Sequence, residues 1–132
     1  MTVRTPVDVE RWLSAWLRAQ PEVAELVGDR VYTVLPAEPK VWPMARLTRI
    51  AGDLIACAEG GVAGDSATVQ IDAFGATKAS AWTLTRPLQG VIAERVNGVH
   101  ESVRVLGHTI TGTRYLPDPT FTPAQPRALF AV

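Results

Sequence analysis

The chain has 132 residues, the size of one typical domain, and its 13 lysines and arginines balance 13 aspartates and glutamates. That balance excludes a global positive field for nucleic acid and an acidic tail for a basic partner, so any charge-driven partner must use a local patch. Cys57 is the sole cysteine, which excludes an intramolecular disulfide and suits a chain made in a reducing cytoplasm. MTVRTPVDVE at the start lacks the apolar stretch of a signal peptide, and no later apolar run approaches the roughly 20 residues of a membrane span, so a soluble protein without a membrane partner is expected.

Thr5, Pro6 and Asp8 predict a helix start, with threonine as the cap and proline at the first helical position. Val9, Trp12, Leu13, Trp16 and Leu17 then recur at helical spacing, a stripe that should bury against a sheet. A short second helix is expected from Pro21 to Val27, closed by Gly28. RVYTVL reads as a strand and the proline-broken LPAEPKVWP as an extended connector. MARLTRI, from Met44 to Ile50, has strand composition, with Arg46 and Arg49 on opposite faces.

Glycines 52, 60, 61 and 64 mark a mobile loop or a loose hairpin. The next strand alternates cleanly: Ala67, Val69, Ile71 and Ala73 form an apolar face, and Thr68, Gln70 and Asp72 a polar one. A helix from Thr77 to about Val96 carries Ala81, Trp82, Leu84, Leu88, Val91, Ile92 and Val96 on its buried face. Pro87 lies inside it and should kink the helix or split it in two. ESVRVLG and HTITGTRYL give two further strands joined near Gly107. The four-proline tail, about residues 117–132, reads as an extended arm ending in ALFAV, apolar enough to add a strand to a sheet of its own chain or of a neighbour's. Strands not strictly alternating with helices predict one α+β domain over residues 1–132, a mostly antiparallel sheet with two main helices on one face.

No stretch carries a strong chemical signature. SATVQIDAFGATKASAW runs from strand through Gly75 into helix as phosphate loops do, but it lacks the further glycines and the Gly-Lys-Ser/Thr ending. GGVAGDS has no lysine and opens no helix. His100 and His108 sit eight residues apart on extended chain, too far to share an ion, and no acidic cluster has calcium-loop spacing. No serine occupies a Gly-x-Ser-x-Gly elbow, and Cys57 lies in apolar company. Arg46 and Arg49 near Trp42 are the best basic-aromatic group, and their simpler reading is a pair of strand arginines in salt bridges. No cofactor, metal or catalytic residue is assigned.

DVERWLSAWLRAQPEVAELVGDRVYTVLP, then WPMARLTRI, then SATVQIDAFGATKASAWTLTRPL resembles the tail terminator (tail-completion) proteins of long-tailed phages, of the type common in actinobacterial phages and prophages. The resemblance runs from about Val7 to Val96 and more loosely beyond. It implies a structural virion protein, not an enzyme, at the neck end of the tail. Such subunits form a ring, commonly hexameric, on the head-proximal end of the tail tube, stop its polymerisation and receive the head-completion proteins. DNA passes through the ring without being read. The implied partners are copies of the chain itself, the major tail tube protein and the head-completion proteins. A head-closure or adaptor neck protein is the alternative within that setting, and a small ligand-binding domain or enzyme using the Gly60 to Ser66 loop the alternative outside it. Interface contacts are expected from Arg46, Arg49, Thr68, Gln70 and Asp72, from the Ala56 to Asp65 loop, and from Leu129 and Phe130 of the last strand.

Overall fold

The computed structural model describes residues 5–36, 41–56, 58, 60, 62–121 and 123–132. Parts of the LPAEPKVWP connector and of the Ala56 to Asp65 loop, and Cys57, lie outside that set.

Helix α1 spans Val9–Arg18 and begins later than the proline suggests. Asp8 is its cap, accepting a 3.1 Å hydrogen bond from the Arg11 backbone N–H, so Thr5 and Pro6 precede the helix. The carboxylate satisfies an orphan amide and also lies at the positive end of the helix dipole. Leu13 and Leu17 are buried. Trp12 and Trp16 sit half-buried at the margin of the core, stacked at 6.1 Å between ring centroids, with His100 against both rings. Helix α2, Pro21–Val27, buries Val23 and Val27 and ends at Gly28 with φ +61°.

Strand β1 is only Val31–Tyr32 and pairs in parallel with β2. Strands β2 (Met44–Ala56) and β3 (Val62–Phe74) form one long antiparallel hairpin, so strand pairing continues through most of the expected loop. The ladder shifts register between Arg49 and Ala51 and again between Ile55 and Ala56. Gly52, at φ +149°, is required inside it: a Cβ there would meet the Ser66 carbonyl oxygen and the Arg49 guanidinium.

Helix α3, Lys78–Arg95, is capped by a reciprocal box: Thr77 Oγ1 accepts from the Ser80 N–H, and Ser80 Oγ accepts from the Thr77 N–H. It runs unbroken through Pro87, so the proline does not split it. Its buried stripe is Ala81, Leu84, Thr85, Leu88, Val91 and Ile92. Trp82, expected on that face, is instead 37% exposed, because the residue after Ala81 is turned about 100° from the stripe.

Strands β4 (Gly98–His100) and β5 (Val103–Val105) make a separate small hairpin turning through Glu101 at φ +54°. The expected HTITGTRYL strand shrinks to β6, Arg114–Tyr115. Strand β7, Arg127–Ala131, lies between β3 and β6, so ALFAV pairs within its own chain. Val69 and Val132 extend that ladder with two backbone hydrogen bonds of 2.9 Å each.

The resulting sheet has the order β1-β2-β3-β7-β6, antiparallel except at β1. Ala45, Leu47, Val69, Ile71, Ala73 and Phe130 meet Leu13, Leu17, Leu84, Leu88 and Ile92 in one core, which places the helices on one face. The α+β architecture is the expected one.

Candidate assembly interface

The opposite face of the sheet is not bare at its base. Asp72, fully buried, sits directly across from Arg46 in the β2–β3 ladder. Arg46 donates to Asp72 Oδ2 from Nε at 3.0 Å and from Nη2 at 2.8 Å. Gln70 Nε2 donates to the other oxygen of Asp72 at 2.9 Å. Asp118, 2% exposed, arrives from the segment before β7, with Oδ2 at 3.4 Å from Arg46 Nη2 and 3.6 Å from Arg127 Nη1. Two arginines thus neutralise two aspartates where a strap of chain, residues 116–121 and 123–126, crosses the sheet. Burial pushes the Asp118 carboxyl up, but hydrogen bonds from the Thr120 hydroxyl and backbone N–H, together with Arg127 and Arg46, outweigh it and hold the group below the ordinary carboxylate range. Beside this clasp Trp42, Phe74 and Phe121 form a three-ring cluster with centroids 5.8–6.0 Å apart, and Arg46 lies over the Phe74 ring.

At the distal end the same two strands lose both covers. Strand β1 pairs only with Ala45 and Arg46, and β7 reaches β3 only as far as Gln70, with Val132 beyond it on Val69. Residues 51–56 and 62–68 therefore form a two-stranded ribbon whose outer strand edges carry no partner strand in the described sheet. Ile50, Leu54 and Ile55 are 54%, 54% and 52% exposed on it. Arg49 stiffens its root. Its guanidinium crosses over Gly52 to grip Asp65 with two bonds of 2.7 and 2.9 Å, and its backbone N–H donates to Glu10 of α1 at 2.9 Å. The hydrogen bond to Asp65, against a smaller desolvation, raises the Arg49 pKa further above its already high ordinary value.

Arg46 and Arg49 do face opposite sides of the sheet: Arg46 joins Asp72 and the strap, whereas Arg49 joins Asp65 and α1. Of the residues expected at an interface, Thr68 and Gln70 are half-buried on the strap-side face, and Arg46 and Arg49 are partly exposed. Asp72, Leu129 and Phe130 are enclosed by their own chain, because β7 inserts into the sheet and the strap covers its outer side. Sequence reasoning missed Asp118, Arg127 and the ribbon's exposed isoleucines.

Gly75 serves packing. A Cβ there would strike the Ser80 hydroxyl, and the capping box occupies the amides an anion would need. His100 Nε2 donates to the Val96 carbonyl at 2.8 Å, and His108 Nδ1 contacts Asn97 Oδ1. Among the described residues no group of three His, Cys, Asp or Glu side chains could hold a metal ion, and no helix is long and apolar enough to cross a membrane.

No curated protein and no solved structure matches the chain. The family model described as Tail completion protein gp17 matches residues 11–122, more than four-fifths of the length and every element from α1 to β6. The chain therefore belongs to the tail completion protein gp17 family, a family of structural proteins of bacteriophage tails.

Proposed function

We propose that the protein terminates the tail: a ring of its copies, hexameric by the resemblance, caps the head-proximal end of the tail tube and stops its growth. The ring's other side receives the head-completion proteins, and DNA passes through the lumen without base-specific contact. The observation that carries this reading is the ribbon. A hairpin whose base is fixed by helices, strap and ion clasp projects a distal end with free strand edges and exposed isoleucine and leucine side chains. Such edges invite strand addition or apolar docking by another protein. Thr68, Gln70 and Arg49, at the ribbon's root, are the members of the expected interface set best placed to join those contacts. Asp72, Leu129 and Phe130 support them from inside.

Tail length in lysates of a phage lacking this gene, measured by electron microscopy, tests the reading. Overlong, headless tails are expected. Tails of normal length beside DNA-leaking heads would move the protein to the head side of the neck, and intact virions would remove it from tail completion altogether.

A further inference from the structure

The two ends of β3 carry surfaces that complement each other but that one chain cannot bring together. The distal ribbon is a convex finger bearing Ile50, Leu54 and Ile55, with Asp53 exposed among them. Residues 50–64 contain Asp53 and Glu59 and no lysine or arginine. The other end of β3 leads through Gly75 into α3, and there the start of α3 and β6 frame an open groove of about 670 Å³ lined by Lys78, Ala79, Trp82, Thr83 and Tyr115. Trp82 is part-exposed in its wall, and Leu116, half exposed, follows Tyr115. The rim carries positive charge: Lys78 Nζ lies 4.9 Å above the Tyr115 ring, Arg86, one helical turn after Trp82, is exposed, and the first turn of α3 has no acid. Ribbon and groove are thus acidic and basic, aliphatic and aromatic. Leu54 lies opposite Asp65 in the ladder, so the stretch of β3 from there to Phe74 holds it about 30 Å from the groove end.

We propose that this groove receives the ribbon of a second copy of the chain, a head-to-tail contact that rests on the ring reading above. A patch that meets a different patch on the next subunit closes into a ring when the rotation suits it. Trp82 and Tyr115, aromatic side chains with an apolar body open to solvent, are the residue types that anchor such contacts. Asp53 opposite Lys78 orients the approach and disfavours a ribbon-to-ribbon pairing, which would set acid against acid. The exposure of Trp82 on a helix whose neighbouring stripe is fully buried finds its reason in this contact.

Site-directed cross-linking in assembled tails, and in the purified full-length protein in parallel, tests it. In a Cys57→Ser background, Leu54→Cys combined with Trp82→Cys should give, on mild oxidation, a ladder of covalent oligomers that collapses under reductant. The two single variants produced together should give dimers, and either alone should give none. Ile55→Cys with Thr83→Cys reads the same contact where loss of the tryptophan lowers the folded yield. Absence of the ladder with both pairs, in tails holding normal amounts of the protein, would overturn the proposal. So would a Leu54→Cys product joined to itself or to the tube protein. The terminator reading fails separately, through tail length in the deletion: a ladder together with tails of normal length would keep the contact and remove the terminator.

Discussion

The two halves of the β2–β3 hairpin share two strands and one kind of ion pair, yet they meet opposite fates. At the base, Arg46 and Asp72 are closed in by the core below and by Asp118, Arg127 and Phe121 above. At the distal end, Arg49 and Asp65 pair just as closely, but among the described residues Ile50, Leu54 and Ile55 stay more than half exposed. Both halves are paired as strand, so strand pairing does not decide burial. What decides it is how far the covering elements reach. The base is enclosed by its own chain, whereas the tip leaves apolar side chains exposed.

The sharpest way to break this contrast is to remove one charge from each half. Asp72→Ala leaves two arginines and Asp118 unbalanced beneath the strap and should cost about 3–5 kcal/mol in urea unfolding. Asp65→Ala, whose own carboxylate is enclosed but whose arginine partner is about one-third exposed to solvent, should cost less. Similar losses for the two would erase the distinction between base and tip. Apolar truncation gives the same ordering: Phe130→Ala should cost about 3–5 kcal/mol, whereas Leu54→Ala should change monomer stability by no more than about 0.5 kcal/mol while weakening assembly.

A smaller effect is expected at the ribbon's root. Gly52→Ala forces a Cβ against the Ser66 carbonyl and the Arg49 guanidinium at a positive φ, so it should cost about 1–3 kcal/mol. Proteolysis should then nick residues 50–64 before any other segment. Uniform resistance to protease would show that the ribbon does not depend on that glycine.

Acid should act on the base through Asp118. Because the folded-state pKa of Asp118 lies below its unfolded value, the stability it contributes is fully present above about pH 4 and is lost as pH falls through the folded pKa. Between about pH 4 and pH 2, wild-type stability should therefore fall more steeply than that of Asp118→Asn. Parallel slopes would remove Asp118 from the clasp.

Much of the fold is legible in the sequence because period and punctuation are local. The Val9 to Leu17 stripe, the proline start and glycine stop of α2, the alternation of Ala67 to Ala73 and the Thr77 cap each depend on residues within a few positions of one another. The errors were of another kind. Thr5 lost the α1 cap to Asp8, both being competent caps, and Trp82 was placed in the core by hydrophobicity when its angular position put it outside. The run after Ile50, read as a mobile loop or a loose hairpin, forms the hairpin, because cross-strand pairing, not composition, holds residues 51–56 to 62–68. The candidate site was less visible still. Its ribbon is written in weakly patterned glycines and alanines, and its clasp joins residues up to 81 positions apart, Arg46 to Arg127.

The sequence by itself determined the class of this protein: one neutral α+β chain with two amphipathic helices, a central alternating strand and the residue pattern of a tail-completion protein. Only the tertiary structure decided that ALFAV fills its own sheet, that Asp72 is sealed under the strap, and that no described element pairs with the ribbon beyond Arg49. The reason is physical. Propensity and caps act over a few residues, but burial depends on where distant segments come to rest, and the strap and β7 reach the base of the hairpin and stop there.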